Sequence, residues 1–358
     1  MGVYVVLLLV PIVMQHIVIK GLRIDYQTRN KIALNFFFVL LTLLVALRHQ
    51  SVGTDTESYI RFFKAFADMD WSDLRKADME VGFQYLNKLI SVFFEEPHIY
   101  LAVVAIALSA MIYPAYKRLC VDSALTIVLY CTLSTFVMMF SGLRQMIAIG
   151  IGFIAYEFTR QKKLIPFSLS VLLAMSFHTS AFMLAFMYPL YHARITKKAL
   201  FIVIPALAVC FLYNRQIFGA LTLILEQYTH YDTEIEATGA YTMLILFGIF
   251  VVFSFLIPDE KKLDEETIGL RNFLLLTFSL QMFVPLHTLA MRMGYYYMIF
   301  IPLLLPKIIE CRSRRWNQIA MLGRHAMVVF FLAYFFVSAS GGGVLDVFPY
   351  HFFWEEIG

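Results

Sequence analysis

The chain has 358 residues, of which 60% fall in the set AVILMFWYC, 16% are aromatic and only 15% are charged, against about 25% charged in ordinary soluble domains. A mean hydropathy of +0.73, carried by many long apolar blocks, excludes a soluble domain with a single anchor. Continuous Leu/Ile/Val/Phe runs in place of strict alternation exclude a transmembrane β-barrel, and a net charge of +4 gives no reason to expect nucleic-acid binding.

Apolar blocks run at 2–19, 32–47, 98–116, 124–140, 143–158, 164–190, 199–213, 240–257, 270–285, 294–309 and 326–338. They predict an all-α, polytopic integral membrane protein with about 11–12 membrane segments, organised as one transmembrane domain over 1–358. The first block, Gly2 to Ile19, lacks a basic n-region and an A-x-A cleavage site and reads as a retained helix. Cys120, Cys131, Cys210 and Cys311 show no CxxC spacing, so neither a disulfide framework nor a metal site follows from them.

The basic residues orient the blocks. With the N-terminus outside, the clusters Lys20/Arg23/Arg29/Lys31, Lys117/Arg118, Arg160/Lys162/Lys163, Arg194/Lys197/Lys198, Lys261/Lys262/Arg271 and Lys307/Arg312/Arg314/Arg315/Arg324 all fall in the cytoplasm, 20 of the 29 Lys and Arg residues. The positive-inside rule favours that arrangement. It works only if block 164–190 turns back on itself near Ser176–Thr179. Were that block one span, eleven basic residues of the last three clusters would move outside in exchange for Arg215 and Arg292. Each arm of the hairpin is then about 13 residues, roughly 20 Å of helix, short of the about 20 residues of a full span. A broken or re-entrant hairpin is expected, with His178 at its turn.

Two stretches are expected outside the membrane. The first, 48–97, holds six basic and nine acidic residues. Within it, Val81, Tyr85, Lys88/Leu89 and Val92 share one face of a helix that lies on the membrane or packs against the bundle. The second is 214–239, with Tyr213, Tyr228, Tyr231, Glu226, Asp232, Glu234 and Glu236.

Charged and polar groups in or beside membrane spans are the site candidates, and this topology gathers them on the outward side. Arg48 and His49 end the second span. Arg144 and Gln145 follow an outward turn at Ser141-Gly142, with Ala148, Gly152 and Ala155 as a small-residue stripe on the face below. Arg144 either snorkels to lipid headgroups or holds phosphate, for which a guanidinium fork is geometrically suited. Arg292, followed by Tyr295, Tyr296 and Tyr297, is either part of an interfacial aromatic belt or an anion holder beside sugar-stacking rings, with His287 nearby. His178 is either a hydrogen-bonded structural residue or a general base. Asp55 and Glu80 can each cap a helix or serve the site, Asp55 by binding a sugar hydroxyl or pairing with an arginine. Three arginines and a histidine on one membrane face suit a polyprenyl diphosphate substrate.

In combination, these residues resemble the EpsG/Wzy-type polysaccharide polymerases of bacteria. The resemblance lies in Arg48 with Val52-Gly-Thr-Asp-Thr56 and Tyr59, Glu80-Val-Gly-Phe83 with Leu86, Gly142-Leu-Arg-Gln-Met-Ile-Ala148, and Phe177-His-Thr-Ser-Ala181. These motifs cover most of residues 1–190. The C-terminal half matches in hydropathy and in Arg292, and Thr179 departs from the expected proline or small residue. The resemblance implies a metal-independent, inverting membrane glycosyltransferase, without cofactor, acting on the outer face of the bacterial cytoplasmic (inner) membrane. It would polymerise undecaprenyl-diphosphate-linked oligosaccharide repeat units alongside a flippase and a chain-length regulator of the same pathway. In that reading His178, Arg144 and Arg292 are catalytic; Arg48, Arg144, Arg292 and Gln145 hold diphosphate; and Asp55, Tyr59, Glu80, His287, Tyr295 and Tyr296 orient sugars. A transporter or flippase of lipid-linked glycans, an O-antigen-ligase-like transferase and a His-dependent membrane acyltransferase are the competing classes.

Overall fold

The computed structural model describes residues 2–15, 24–133, 135–224, 237–341 and 345–356. In chain order the helices are α1 (Gly2–Val13), α2 (Tyr26–Ala46), α3 (Thr56–Asp68), α4 (Val81–Phe93), α5 (Pro97–Leu119), α6 (Ser123–Thr132), α7 (Thr135–Ser141), α8 (Leu143–Arg160) and α9 (Leu164–Met175). A 3₁₀ segment, Thr179–Phe186, leads to α10 (Met187–His192), α11 (Leu200–Leu212), α12 (Asn214–Ile224), α13 (Ala237–Leu256), α14 (Glu265–Gln281), α15 (Thr288–Met298), α16 (Ile301–Glu310) and α17 (Asn317–Ser340). Residues 16–23 and 225–236 lie outside the described residues, and with them Lys20, Arg23 and most of the acidic and aromatic residues expected in the second external loop.

The chain is all-α and multi-pass. Among the described residues, Tyr26–Ala46, Pro97–Leu119, Gly239–Leu256 and Arg314–Ser340 are each long and apolar enough to cross a membrane, and three bent helix pairs raise the number to seven. Several of the apolar blocks are not single straight spans. Block 124–140 bends by 57° between α6 and α7, and block 294–309 bends by 47° between α15 and α16. Block 143–158 falls within α8, which carries Arg144, Glu157 and Arg160.

Helices begin where a side chain can accept the first free backbone N–H groups. Asp25 accepts from Thr28 N at 3.0 Å at α2, and Asp264 accepts from Thr267 N at 2.7 Å at α14. The innermost helix is α6, in which every residue from Ser123 to Cys131 is buried. Ser123 and Thr126 find their partners inside the bundle, as the bilayer core demands: Ser123 N donates to Asn30 Oδ1 at 2.9 Å and Thr126 Oγ1 to Pro302 O at 3.1 Å. Tyr116 closes the same core, edge-on to Tyr130 at 5.5 Å, with its hydroxyl donating to Ile299 O at 2.5 Å. Around this centre, α11, α13 and α17 expose long apolar faces, among them Phe201, Ile245 and Val329. All four cysteines are free.

The block 164–190 does reverse. Arm α9 ends at Met175, the chain turns through Ser176–His178, and the 3₁₀ segment with α10 returns beside it, so that Phe167 and Tyr188 face each other at 5.4 Å. His192 Nε2 at the end of the second arm donates to Thr159 O at 3.1 Å, closing the hairpin's base. The small-residue stripe below Arg144 accommodates this hairpin. A Cβ on Gly152 would stand 3.0 Å from Leu184, and Ala148 and Ala155 are fully buried.

The predicted cytoplasmic clusters meet at that base end. Arg118 pairs with Glu266 at 2.7 Å, Lys307 with Asp264 at 3.3 Å, Arg271 with Glu260 at 2.9 Å and Arg194 with Glu265 at 3.5 Å. Four basic clusters, from Arg118 to Lys307, thus share one end of the bundle, which is what the charge arithmetic requires. Helix α4, expected outside the membrane, splits its faces. Phe83, Asn87 and Ile90 pack inward, while Val81, Leu89 and Val92 of the predicted amphipathic face are exposed. Lys88, expected on that face, turns back to donate to Ala67 O at 2.8 Å.

Candidate active site

Three close backbone approaches build the opposite end. Gly53, at φ +93°, turns the chain after Val52 so tightly that a Cβ there would lie 2.5 Å from Phe140 O. Thr56 Oγ1 donates to that same carbonyl at 3.0 Å and to Val52 O at 2.7 Å. This turn fixes α3 against the α7–α8 junction and brings Asp55 and Tyr59 beside Arg144. Gly82 is the second approach: its N donates to Ser176 O at 2.7 Å, and a Cβ would meet Ser176 Oγ at 2.4 Å. The start of α4 therefore rests directly on the hairpin tip. The third is the C-terminal segment 345–356, which crosses this face, with Gly53 N donating to Asp346 O at 2.9 Å and Thr54 N to Leu345 O at 3.0 Å.

These approaches enclose a cavity of about 260 Å³ lined by Asp55, Tyr59, Arg144, Gln145, His178, Arg292 and Tyr295, with Ser58, Phe62, Met138, Ser141, Gly142, Met291 and Leu345 completing the wall. Seven of the residues singled out in the sequence are thus brought together from α3, α8, the hairpin tip and α15.

Arg144 is held from one side. Its Nη1 donates to Glu80 Oε2 at 2.6 Å, and the Tyr59 hydroxyl lies beside the guanidinium. Glu80 caps no backbone group of α4, so its carboxylate serves to orient Arg144 rather than to start a helix or line the cavity. Asp55 likewise makes no side-chain cap on α3 and faces the cavity. Gln145 Nε2 donates to Arg292 O at 2.5 Å, fixing the backbone that carries the second arginine.

His178 sits in extended backbone at the end of the turn. Its Nδ1 is 2.7 Å from Ser180 Oγ, which is in turn 3.2 Å from Tyr296 Oη. This relay fixes the ring and engages Nδ1, so Nε2 is the nitrogen available to chemistry. Ser180 belongs to the Phe-His-Thr-Ser stretch read from the sequence, but its role depends on the 3₁₀ geometry after the turn, which no helix or strand period signals.

Besides Glu80, three expected site residues fall outside the cavity wall. Arg48 is only 1% exposed and lies under the C-terminal segment, where Phe353 N donates to Leu47 O at 2.9 Å and Tyr350 Oη to Leu44 O at 2.8 Å. Its Nη1 donates to Val45 O, and Tyr59, Tyr100 and Tyr350 surround it. It is not in the cavity wall because a segment 300 residues away covers it. His287 accepts from Leu289 N at 3.0 Å as the cap of α15 and lies 5.5 Å from the Phe218 ring. Tyr296 stands one residue behind the wall and reaches His178 through Ser180.

An arginine-lined cavity at the end of a broken membrane hairpin, with an oriented histidine, can hold an anionic leaving group and take a proton from an acceptor. No curated protein and no solved structure matches the chain. A family model described as the EpsG family matches residues 31–352, which supports, at family level, a polysaccharide polymerase-type glycosyltransferase; the chain belongs to the EpsG family.

Proposed function

We propose that the chain polymerises oligosaccharide repeat units carried on undecaprenyl diphosphate, at the outward face of a bacterial cytoplasmic membrane. The observation that carries this reading is the meeting of His178 with Arg144 and Arg292 in one cavity of about 260 Å³. That volume is just below the about 300–1,000 Å³ of drug-sized sites, so it takes the reacting groups and not whole repeat units.

His178 Nε2 accepts the proton of an acceptor hydroxyl as its oxygen bonds to the anomeric carbon of the donor glycan. The bond from that carbon to the diphosphate breaks, and its electron pair leaves with the diphosphate. Direct displacement inverts the anomeric centre. The Arg144 and Arg292 guanidiniums neutralise charge that grows on the departing group, a role electrostatic preorganisation fills without metal assistance. Glu80 aims Arg144; Asp55, Tyr59 and Tyr295 contact sugar.

Purified protein incubated with a lipid-linked repeat unit, with products resolved on gels, tests the proposal. A ladder spaced by whole repeats supports it. A single enlarged glycan on another acceptor points instead to a ligase, and lipid movement between leaflets without product points to a transporter.

A further inference from the structure

A second cavity, larger than the one around Arg144, lies at the other end of the hairpin. It measures about 390 Å³ and is lined by Lys162, Tyr188, Tyr191, His192, Ala193, Arg194, Glu265 and Ile268. The 18 residues of α8 separate it from Arg144, about 27 Å at 1.5 Å per residue, so it is no part of the candidate active site. We propose that this cavity binds the phosphate head of an anionic phospholipid, whose acyl chains lie along the exposed face of α9.

Four observations carry this. First, the cavity is lined by cations from both arms at the hairpin's base, Lys162 entering the first arm and Arg194 leaving the second, both exposed. Second, neighbouring carboxylates are already engaged. Glu266 is held by Arg118 and by Tyr156 at 2.7 Å each, Asp264 by Lys307 at 3.3 Å, and Glu157 by Arg160 at 2.6 Å. Only Glu265 lines the cavity, loosely paired with Arg194 at 3.5 Å across two largely exposed side chains. Third, Lys162 occupies the left-handed position that ends α8, at φ +59°, with Lys162 N donating to Thr159 O at 2.9 Å and Lys163 N to Phe158 O at 2.9 Å. Glycine is the default there and a side chain is disfavoured. The chain keeps a lysine there, and that lysine lines the cavity. Fourth, an apolar stripe leads away from the cations: Leu164, Ile165, Leu169, Leu172 and Leu173 are all exposed on α9. A soluble anion would use the cations and leave that stripe unused, whereas a lipid uses both. Basic pockets between membrane helices are the expected sites for anionic headgroups.

Because Tyr188, Tyr191 and His192 belong to the returning arm, a bound headgroup would join both arms at their base and steady the tip that carries His178.

Native mass spectrometry of the full-length protein, titrated with dioleoylphosphatidylglycerol, dioleoylphosphatidylcholine or inorganic phosphate, tests the site. The expected result is saturable retention of phosphatidylglycerol, with phosphatidylcholine retained at least tenfold less. Lys162→Gln with Arg194→Gln should weaken phosphatidylglycerol binding about thirtyfold, from about 1 kcal/mol per cation near the surface. The charge-preserving pair Lys162→Arg with Arg194→Lys should keep it, as should Lys64→Gln on the distant helix α3. Equal retention of both lipids, which needs no variant to fold, would overturn the proposal. So would undiminished binding in the neutral double variant, or competition by inorganic phosphate that removes the lipid entirely and assigns the cavity to a soluble anion.

Discussion

The two ends of the bundle use the same residue types to different effect. At the hairpin base, Arg118, Arg271, Lys307 and Arg324 each have a carboxylate within 3.3 Å, and Arg271 is 1% exposed with its partner Glu260 on the neighbouring loop. These cations staple helices, and their carboxylates are arranged to neutralise them. At the hairpin tip Arg144 has one such partner, Glu80 at 2.6 Å, and still faces a cavity shared with Arg292 and His178. A charge that remains in contact with a cavity after its structural partner is satisfied is placed to meet a ligand. The same side chain reads as architecture at one end and as chemistry at the other, and substitutions should separate the two.

His178→Ala should lower the rate of polymerisation about 10²–10⁴-fold, the usual worth of general-base help, with undiminished protein in the membrane, measured as ladder formation per mole of purified protein. Arg144→Lys should fall nearly as far as Arg144→Ala, about 10²–10³-fold each; full activity in the lysine variant would remove the bidentate role. Gly82→Ala must push Ser176 away from the start of α4, and a misplacement of the hairpin tip of the order of 1 Å costs about 10²-fold, visible as lost kcat with the thermal midpoint little changed.

At the base the signature reverses. Arg271→Met removes hydrogen bonds to Glu260 and to Ile195 O at 2.9 Å and should destabilise by about 1–3 kcal/mol while leaving the rate per folded molecule intact, as a thermal melt beside the ladder assay would show. The smallest effect belongs to Ser180→Ala. It loses one neutral hydrogen bond to His178, about 1 kcal/mol or roughly fivefold, and should displace the pH profile of polymerisation because Nδ1 no longer has its partner.

How much of this was readable in the sequence depends on how far each cause lies along the chain. The hairpin followed from charge counting alone, since the ends of the block had to share a side, and the observed turn at Ser176–His178 is where it was expected. Asp55, Tyr59, Arg144, Gln145, His178, Arg292 and Tyr295 were recognisable as polar residues misplaced in an apolar chain. The burial of Arg48 was not readable, because residues 345–356 cover it from the far end of the chain. Nor was the role of Glu80, whose local setting at a helix start suits a cap equally well until Arg144 is seen 2.6 Å away. Nor were the bends of 57° and 47° within two of the apolar blocks, which composition does not report.

In the proposed mechanism one cavity separates donor binding, by Arg144 and Arg292, from proton removal, by His178. The most direct measurement pairs binding of an undecaprenyl-diphosphate-linked repeat unit with polymerisation of it, in His178→Ala and Arg144→Ala side by side. His178→Ala should bind the donor as the unmodified chain does and form the ladder about 10²–10⁴-fold more slowly, while Arg144→Ala loses donor affinity as well as rate; a ladder from His178→Ala at the unmodified rate would contradict the proposed role of His178.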